Sequence, residues 1–231
     1  MSERAGRLDL GVIGVEAPGL TLARALAAAG HNLIGLAAGS SQAVEVAERL
    51  LPDTPLLDVP ELLATSDLVL LALPAELLEP TVNELSANGW WRSGQLVAHT
   101  AAEFGIGVLN PALRAGVIPL ALHPAMTFTG TSLDVRRLNE IHFAVTAPNA
   151  ALPIAQALVI EMGGEPIIVD DAERPTYAEA IEVAADFSQL IVQQAQGLLE
   201  SIGIDDPSAI IGPLVRSAVD KVLSANGGTD D

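Results

Sequence analysis

The sequence predicts an α/β chain, a doubly wound and mostly parallel sheet followed by a small all-α C-terminal domain. Three observations carry this. Short apolar runs alternate with helix-patterned stretches from Leu8 to Val169, the rhythm of strands joined by crossover helices. Asp67–Leu73 (DLVLLAL) is apolar without alternation and stops at Pro74, as a central parallel strand buried on both faces does. From Asp171 the strand signals cease, and residues 172–202 carry one helical pattern. The expected division is 1–170 for the sheet, 171–225 for a helical dimerisation domain and 226–231 for a disordered polar tail.

The elements follow in order. Leu8–Ile13 is a strand, Gly14–Gly19 a turn, and Leu20–Ala29 an Ala/Leu-rich helix with Gly30 at its C′ position. A strand, a glycine turn and a helix make the opening of a dinucleotide-binding unit, where pyrophosphate sits on the helix N-terminus. The fingerprint requires G-x-G-x-x-G; here Gly14 and Gly19 hold the outer places and Glu16 the middle one. Glu16 brings bulk and like charge to the phosphate. Two unit charges about 4 Å apart repel by roughly 4 kcal/mol at an effective dielectric of 20, about a thousandfold in affinity. Pro18 removes one N–H from the same turn.

A second strand, Asn32–Leu36, leads to Gly39-Ser40-Ser41 and a helix through Leu51. At this strand end an acid selects NAD and an arginine NADP; the sequence has neither. Ser40 and Ser41 either donate to a phosphate or cap the helix. Pro55–Leu57 is a short strand and Pro60–Ala64 a helix; after the central strand, Ala75–Leu85 is helical. Trp90 and Trp91 read as packing groups. Gln95–Ala98 is a strand ending at His99-Thr100, Asn110 caps a short helix begun by Pro111, and Val117–Leu122 is a strand ending at His123. Phe143–Thr146, a helix from Ala150 to Met162, and Ile167–Val169 close the sheet domain.

The helix at 172–202 would be roughly 45 Å long at 1.5 Å per residue. Tyr177, Ile181, Ala184, Ser188, Ile191, Ala195, Leu198 and Ile202 form one stripe, and Val183, Phe187 and Leu190 lie in a second apolar one. A third, with Glu179, Asp186 and Gln193, is polar. Two apolar stripes imply two partners, one of them the same helix of a second subunit. A last helix starts at Asp206-Pro207 and bends near Gly212-Pro213.

Composition narrows the function. A formal charge of −18 on 231 residues opposes nucleic acid and anionic membrane surfaces. No apolar run reaches membrane-spanning length, and the N-terminus lacks a signal-peptide core, so a cytoplasmic location is expected. There are no cysteines, hence no disulfide, thiol nucleophile or thiolate metal site. No metal-ligand spacing and no G-x-S-x-G elbow occurs. Ligands in doubly wound sheets bind beyond the carboxyl ends of the strands, which brings forward Gly14, Val15, Glu16, Gly19, Ser40, Ser41, Leu73, Pro74 and Thr100 as cofactor contacts. His123 and His99 follow strands at that edge. There a histidine serves as acid, base or donor to a carbonyl, or is simply a satisfied structural group.

The run Leu120–Thr131 (LALHPAMTFTGT), with Gly14 and Gly19, DLVLLALP and WWRSGQLVAHT, resembles a family of Rossmann-like oxidoreductases similar to 6-phosphogluconate dehydrogenase and pyrroline-5-carboxylate reductase. Some of its members act as an alternative ketopantoate reductase. The resemblance covers nearly the whole chain and implies a cofactor, NADP or NAD, a small oxo acid or imine as substrate, and a homodimer built on the 172–202 helix. It also implies polar site positions in that helix, which fall near Val183 and Asp186, making Asp186 a candidate. The departures are Glu16 in the turn, Gly39 where the family has a basic residue, and Ala101-Ala102-Glu103-Phe104 for its Ser-Gly-Ala-His. Three readings follow: a reductase whose hydride comes from the cofactor and whose proton comes from His123 or His99, an inactive dimer that binds a ligand or protein in the same cleft, or a sheet domain with no small ligand at all.

Overall fold

The computed structural model describes residues 6–14, 17–38 and 51–226. Among them seven strands form one sheet: β1 (Asp9–Ile13), β2 (Asn32–Ala37), β3 (Leu68–Leu71), β4 (Leu96–His99), β5 (Ile118–Pro124), β6 (His142–Thr146) and β7 (Glu165–Ile168). Their order is β2-β1-β3-β4-β5-β6-β7, and every pair is parallel except β5 with β6. The helices are α1 (Ala17–Ala28), α2 (Val59–Thr65), α3 (Ala75–Ala87), α4 (Asn110–Leu113), α5 (Leu133–Arg137), α6 (Leu152–Glu161), α7 (Arg174–Ser201) and α8 (Pro207–Asn226).

Alternation along the strands splits the core into two layers. Leu10, Val12, Leu68, Leu70 and Leu120 face α1 and α6 on one side of the sheet. Ile13, Val69, Leu71 and Val97 face α2 and α3 on the other. All four residues of β3 are buried, so its unbroken apolar run is what a strand covered on both faces requires. Registered partners share a face, and one row runs Ala37, Ile13, Leu71, His99, Ala121, Thr146. A polar group therefore enters the apolar α2–α3 layer at His99.

Several local expectations need correction. α1 begins at Ala17, not Leu20, so Pro18 occupies the first helical turn, where no intrahelical bond uses its N–H. The helix ends on Gly30 as expected: the Gly30 N–H reaches the Ala27 carbonyl and the His31 N–H that of Leu26. Asn110 is not a cap, because a 3₁₀ turn at Ile106–Leu109 runs directly into α4 and no side chain caps the junction. His99 and His123 lie within β4 and β5 rather than after them. α8 passes through Gly212-Pro213 without a break, Pro213 being accommodated inside it. The helix expected through Leu51 and most of the C-terminal tail lie outside the described residues.

The chain divides into two compact units, Met1–Ala178 and Glu179–Asp231, so the division falls inside α7 and later than 170. In the second unit α7 and α8 share a cavity lined by Val192, Gln196, Ser208 and Ile211, and Gln196 Nε2 donates to Ser208 Oγ at 2.9 Å. That bond falls on the polar stripe of α7 rather than on either apolar one. Trp91 is buried and its indole N–H donates to Ser86 Oγ at 3.0 Å. No helix among the described residues is long and apolar enough to cross a membrane.

Candidate functional site

The carboxyl edge of the parallel strands is built around Gly14. Its φ is +99°, and a Cβ there would lie 2.0 Å from the Ala72 carbonyl oxygen. A Cβ on Gly19 would meet Ala72 Cβ at 2.5 Å and the Gly14 carbonyl at 2.9 Å. The first glycine permits the turn and the last lets the helix settle on the strand ends, the two packing roles of the dinucleotide fingerprint. Leu73 and Pro74 continue this edge as half-buried residues leading into α3, and Thr100 is half-buried at the end of β4. Val15, Glu16, Ser40 and Ser41 lie outside the described residues.

His123 is half-buried near the end of β5, and its Nδ1 is 2.8 Å from the Tyr177 hydroxyl. The two rings meet edge to face at 5.5 Å and 78°. Nε2 has no hydrogen-bond partner among the described residues. Burial, with help from the nearby Arg174 charge, holds His123 down to about 4, so the ring is neutral near pH 7. Burial raises the Tyr177 phenol while Arg174 pulls the other way.

His99 is completely buried and its Nε2–H donates to the Gly105 carbonyl at 2.8 Å. Nδ1 is buried with no partner among the described residues. Burial outweighs the Gly105 bond, and Arg174 adds to it, so His99 titrates at about 4. A ring with no open face and one nitrogen committed to the backbone is suited to holding the 101–105 turn against β4. The other two histidines are placed structurally: His31 accepts from the Leu8 N–H and pairs with Glu161 at 2.7 Å, and His142 lies 3.1 Å from Glu165. Asp186 is exposed on α7, in the second compact unit. No metal-binding group of acids and histidines occurs among the described residues.

Two residues were not singled out from the sequence. Arg174, in the first turn of α7, is fully buried. It donates from Nε to Thr146 Oγ1 at 2.8 Å and from Nη2 to the Ala121 and Ala144 carbonyls at 3.0 Å each. A longer contact from Nη1 reaches the Ala102 carbonyl at 3.5 Å, and the guanidinium carbon lies 5.9 Å from the Tyr177 ring centre. Burial lowers it to about 10, with Tyr177 and Asp171 opposing. It thus keeps its charge while joining the 101–105 turn, β5, β6 and α7. Its only sequence signal is isolation, as the sole basic residue between Arg137 and Arg216. Asp134, also fully buried, organises the end of the HPAMTFTG segment. Its carboxylate accepts from the Thr129 and Gly130 N–H groups at 2.9 Å each and from the Thr129 hydroxyl at 2.8 Å. Burial works against its charge, but these bonds prevail and hold it below the usual carboxylate range.

A tight glycine turn under a helix N-terminus, at the carboxyl edge of a doubly wound sheet, defines the Rossmann class. Residues 2–124, more than half the chain, match the Rossmann-like domain family, and the chain belongs to it. Residues 141–228 match a domain of unknown function, DUF2520. No curated protein matches in sequence. Among solved structures, the fold is similar to a candidate NADP oxidoreductase from Bacteroides fragilis, with TM-score 0.77, 18% identity, and 94% of this chain and 80% of that one covered. It is also similar to 1-pyrroline-5-carboxylate reductase from Streptococcus pyogenes, with TM-score 0.71, 16% identity, and coverage of 97% and 82%. A third likeness is Plasmodium falciparum pyrroline carboxylate reductase with NADP bound, with TM-score 0.66, 12% identity, and coverage of 97% and 80%.

Proposed function

We propose that this chain is a nicotinamide-dependent reductase of a small carbonyl or imine compound. The observation that carries the reading is the pairing of the Gly14–Gly19 frame with His123 on the same sheet edge. The fit to a dinucleotide rests on backbone shape: a side chain at Gly14 or Gly19 would fill the turn, and α1 directs its free N–H groups outward from it. Gly14, Gly19, Leu73, Pro74 and Thr100 would hold the cofactor, joined by Val15, Glu16, Ser40 and Ser41, which the sequence assigns to the same site. Bound there, a dihydronicotinamide supplies a hydride to the carbon being reduced. Neutral His123 offers Nε2–H to the oxygen or nitrogen of that group. His99 holds the neighbouring turn. Neither an acid nor an arginine ends the second strand, so the residues favour neither NAD nor NADP. The likeness to a reductase that carries NADP supports the general class.

The helical unit supports a homodimer. Phe187, Ile191 and Leu198, drawn from both apolar stripes, are 58%, 60% and 66% exposed along α7, a surface that a second copy would bury. A cytoplasmic, small-molecule enzyme agrees with the charge of −18. One observation favours the second reading, a dimer that binds without turnover: Glu16 stands where the fingerprint has its middle glycine.

Titration with NADPH and NADH at low salt, followed by nicotinamide fluorescence, separates the two. Binding in the micromolar range is expected. Absence of binding up to millimolar would leave a Rossmann-shaped dimer without its cofactor and refute the reductase.

A further inference from the structure

His123 presents a difficulty as a simple acid. A ring that titrates at about 4 carries a second proton in roughly one molecule per thousand at pH 7. A neutral ring that gives up its only proton becomes an imidazolate, which is worse still. The ring can donate only if its other nitrogen is supplied at the same moment, and the group within reach of Nδ1 is the Tyr177 hydroxyl at 2.8 Å.

We propose that Tyr177 is the proton source behind His123, with Arg174 positioned to hold the phenolate that results. The inference rests on the reductase reading above. Its geometry is contained in the first compact unit, since Tyr177 precedes the division at Ala178. In the resting site the Tyr177 O–H donates to Nδ1, which fixes the proton of the ring on Nε2. When hydride adds to the substrate carbon, the C=O π pair moves onto oxygen. That oxygen takes the Nε2 proton, Nδ1 takes the phenol proton, and the ring ends neutral with its proton on the other nitrogen. The charge appears on Tyr177 Oη, whose ring has the Arg174 guanidinium carbon 5.9 Å from its centre. After product leaves, water returns a proton to Nε2 and Nδ1 gives its proton back to Tyr177 Oη, which restores the resting tautomer. An imine is reduced in the same way, its nitrogen taking the proton.

Arg174 suits this task because no carboxylate among the described residues bonds it. Its hydrogen bonds there go to carbonyls and a threonine hydroxyl. Asp171 lies near enough to favour its charge, but its carboxylate accepts from the Ile106 N–H at 2.5 Å. The positive charge therefore remains available to a phenolate formed beside it. Tyr177 and Arg174 act through His123 and are positioning residues.

The test is ¹⁵N NMR of the histidine rings in the full chain, in wild type and in Tyr177→Phe, near neutral pH. The expected result is a single His123 tautomer in wild type, with Nε2 protonated and Nδ1 at its unprotonated extreme. In Tyr177→Phe the two nitrogens should move toward each other as tautomers mix, with His99 unmoved as an internal reference. A wild-type ring protonated on Nδ1 overturns the relay, as does a Tyr177→Phe spectrum in which His123 is unchanged. NADPH titrated into the same wild-type sample tests the underlying reading: failure to bind removes the hydride step and overturns both, whereas a wrong tautomer with binding intact overturns the relay alone.

Discussion

Acid should destabilise this fold through His99, and the size of the effect follows from its surroundings. The ring is completely buried, bonded to the Gly105 carbonyl through Nε2 and without a partner at Nδ1 among the described residues. Burial is the main cause that keeps it neutral, and the charge of Arg174 and the neighbouring His123 add to it, while Asp171 opposes. Unfolded, the ring binds its proton near 6.5; folded, near 4. Between those values the unfolded state holds more protons, so stability climbs with pH and is lost as pH falls from about 6.5 toward 4. Integrating from pH 7 to pH 4.5 gives about 2.5 kcal/mol for this one residue. The perturbation is His99→Gln, whose amide N–H can still serve the Gly105 carbonyl but cannot be protonated. Urea unfolding of both proteins at the two pH values measures the difference. Relief of the large negative charge on acidification affects both alike and cancels. Wild type should lose about 2.5 kcal/mol more than the variant over this range. Parallel losses would refute the claim that His99 is held neutral by burial.

The remaining predictions concern the site and the assembly. Arg174→Met leaves the Thr146 hydroxyl and the Ala121 and Ala144 carbonyls without their donor. At about 1–3 kcal/mol for each buried acceptor, several kcal/mol of stability should be lost, measurable by thermal or urea unfolding. The same change removes a cation that lowers His123, so the His123 titration followed by NMR should move upward; a downward move or none would contradict the assignment. Glu16→Gly should strengthen NADPH binding ten- to a thousandfold, from the roughly 4 kcal/mol of like-charge repulsion at close range, and unchanged affinity would place the obstacle elsewhere. Ile191→Glu should give monomer or aggregate by light scattering if the exposed stripe of α7 joins two copies; wild-type monomer would end that idea.

Much of the frame was legible from local pattern. The unbroken run of Leu68–Leu71 marked a strand buried on both faces, and Gly14 and Gly19 marked a turn and a close approach that the packing around Ala72 bears out. Gly30 closed α1 by local hydrogen bonds alone. Helix starts were read less well: α1 begins at Ala17 with Pro18 in its first turn, and α4 begins at Asn110, the residue the sequence reads as a cap. HPAMTFTG was noticed as a signature, but its organiser, Asp134, lies just beyond it in sequence and acts by accepting three bonds from the preceding turn.

What the sequence determined by itself was whatever depends on neighbours along the chain: strand and helix periodicity, glycine turns, the excess of acid, and the succession of a sheet domain and helices. What only the tertiary structure decided was the state of the polar groups. His99 and His123 look alike in sequence, each at the end of an apolar strand, yet one is sealed against Gly105 and the other has Tyr177 at its back and no partner for Nε2 among the described residues. Arg174 lies 28 residues from Thr146 and 53 from Ala121 along the chain, and the sheet brings them within hydrogen-bond reach. A proton's position and a buried charge depend on what surrounds a group in three dimensions, and those surroundings are assembled from distant segments.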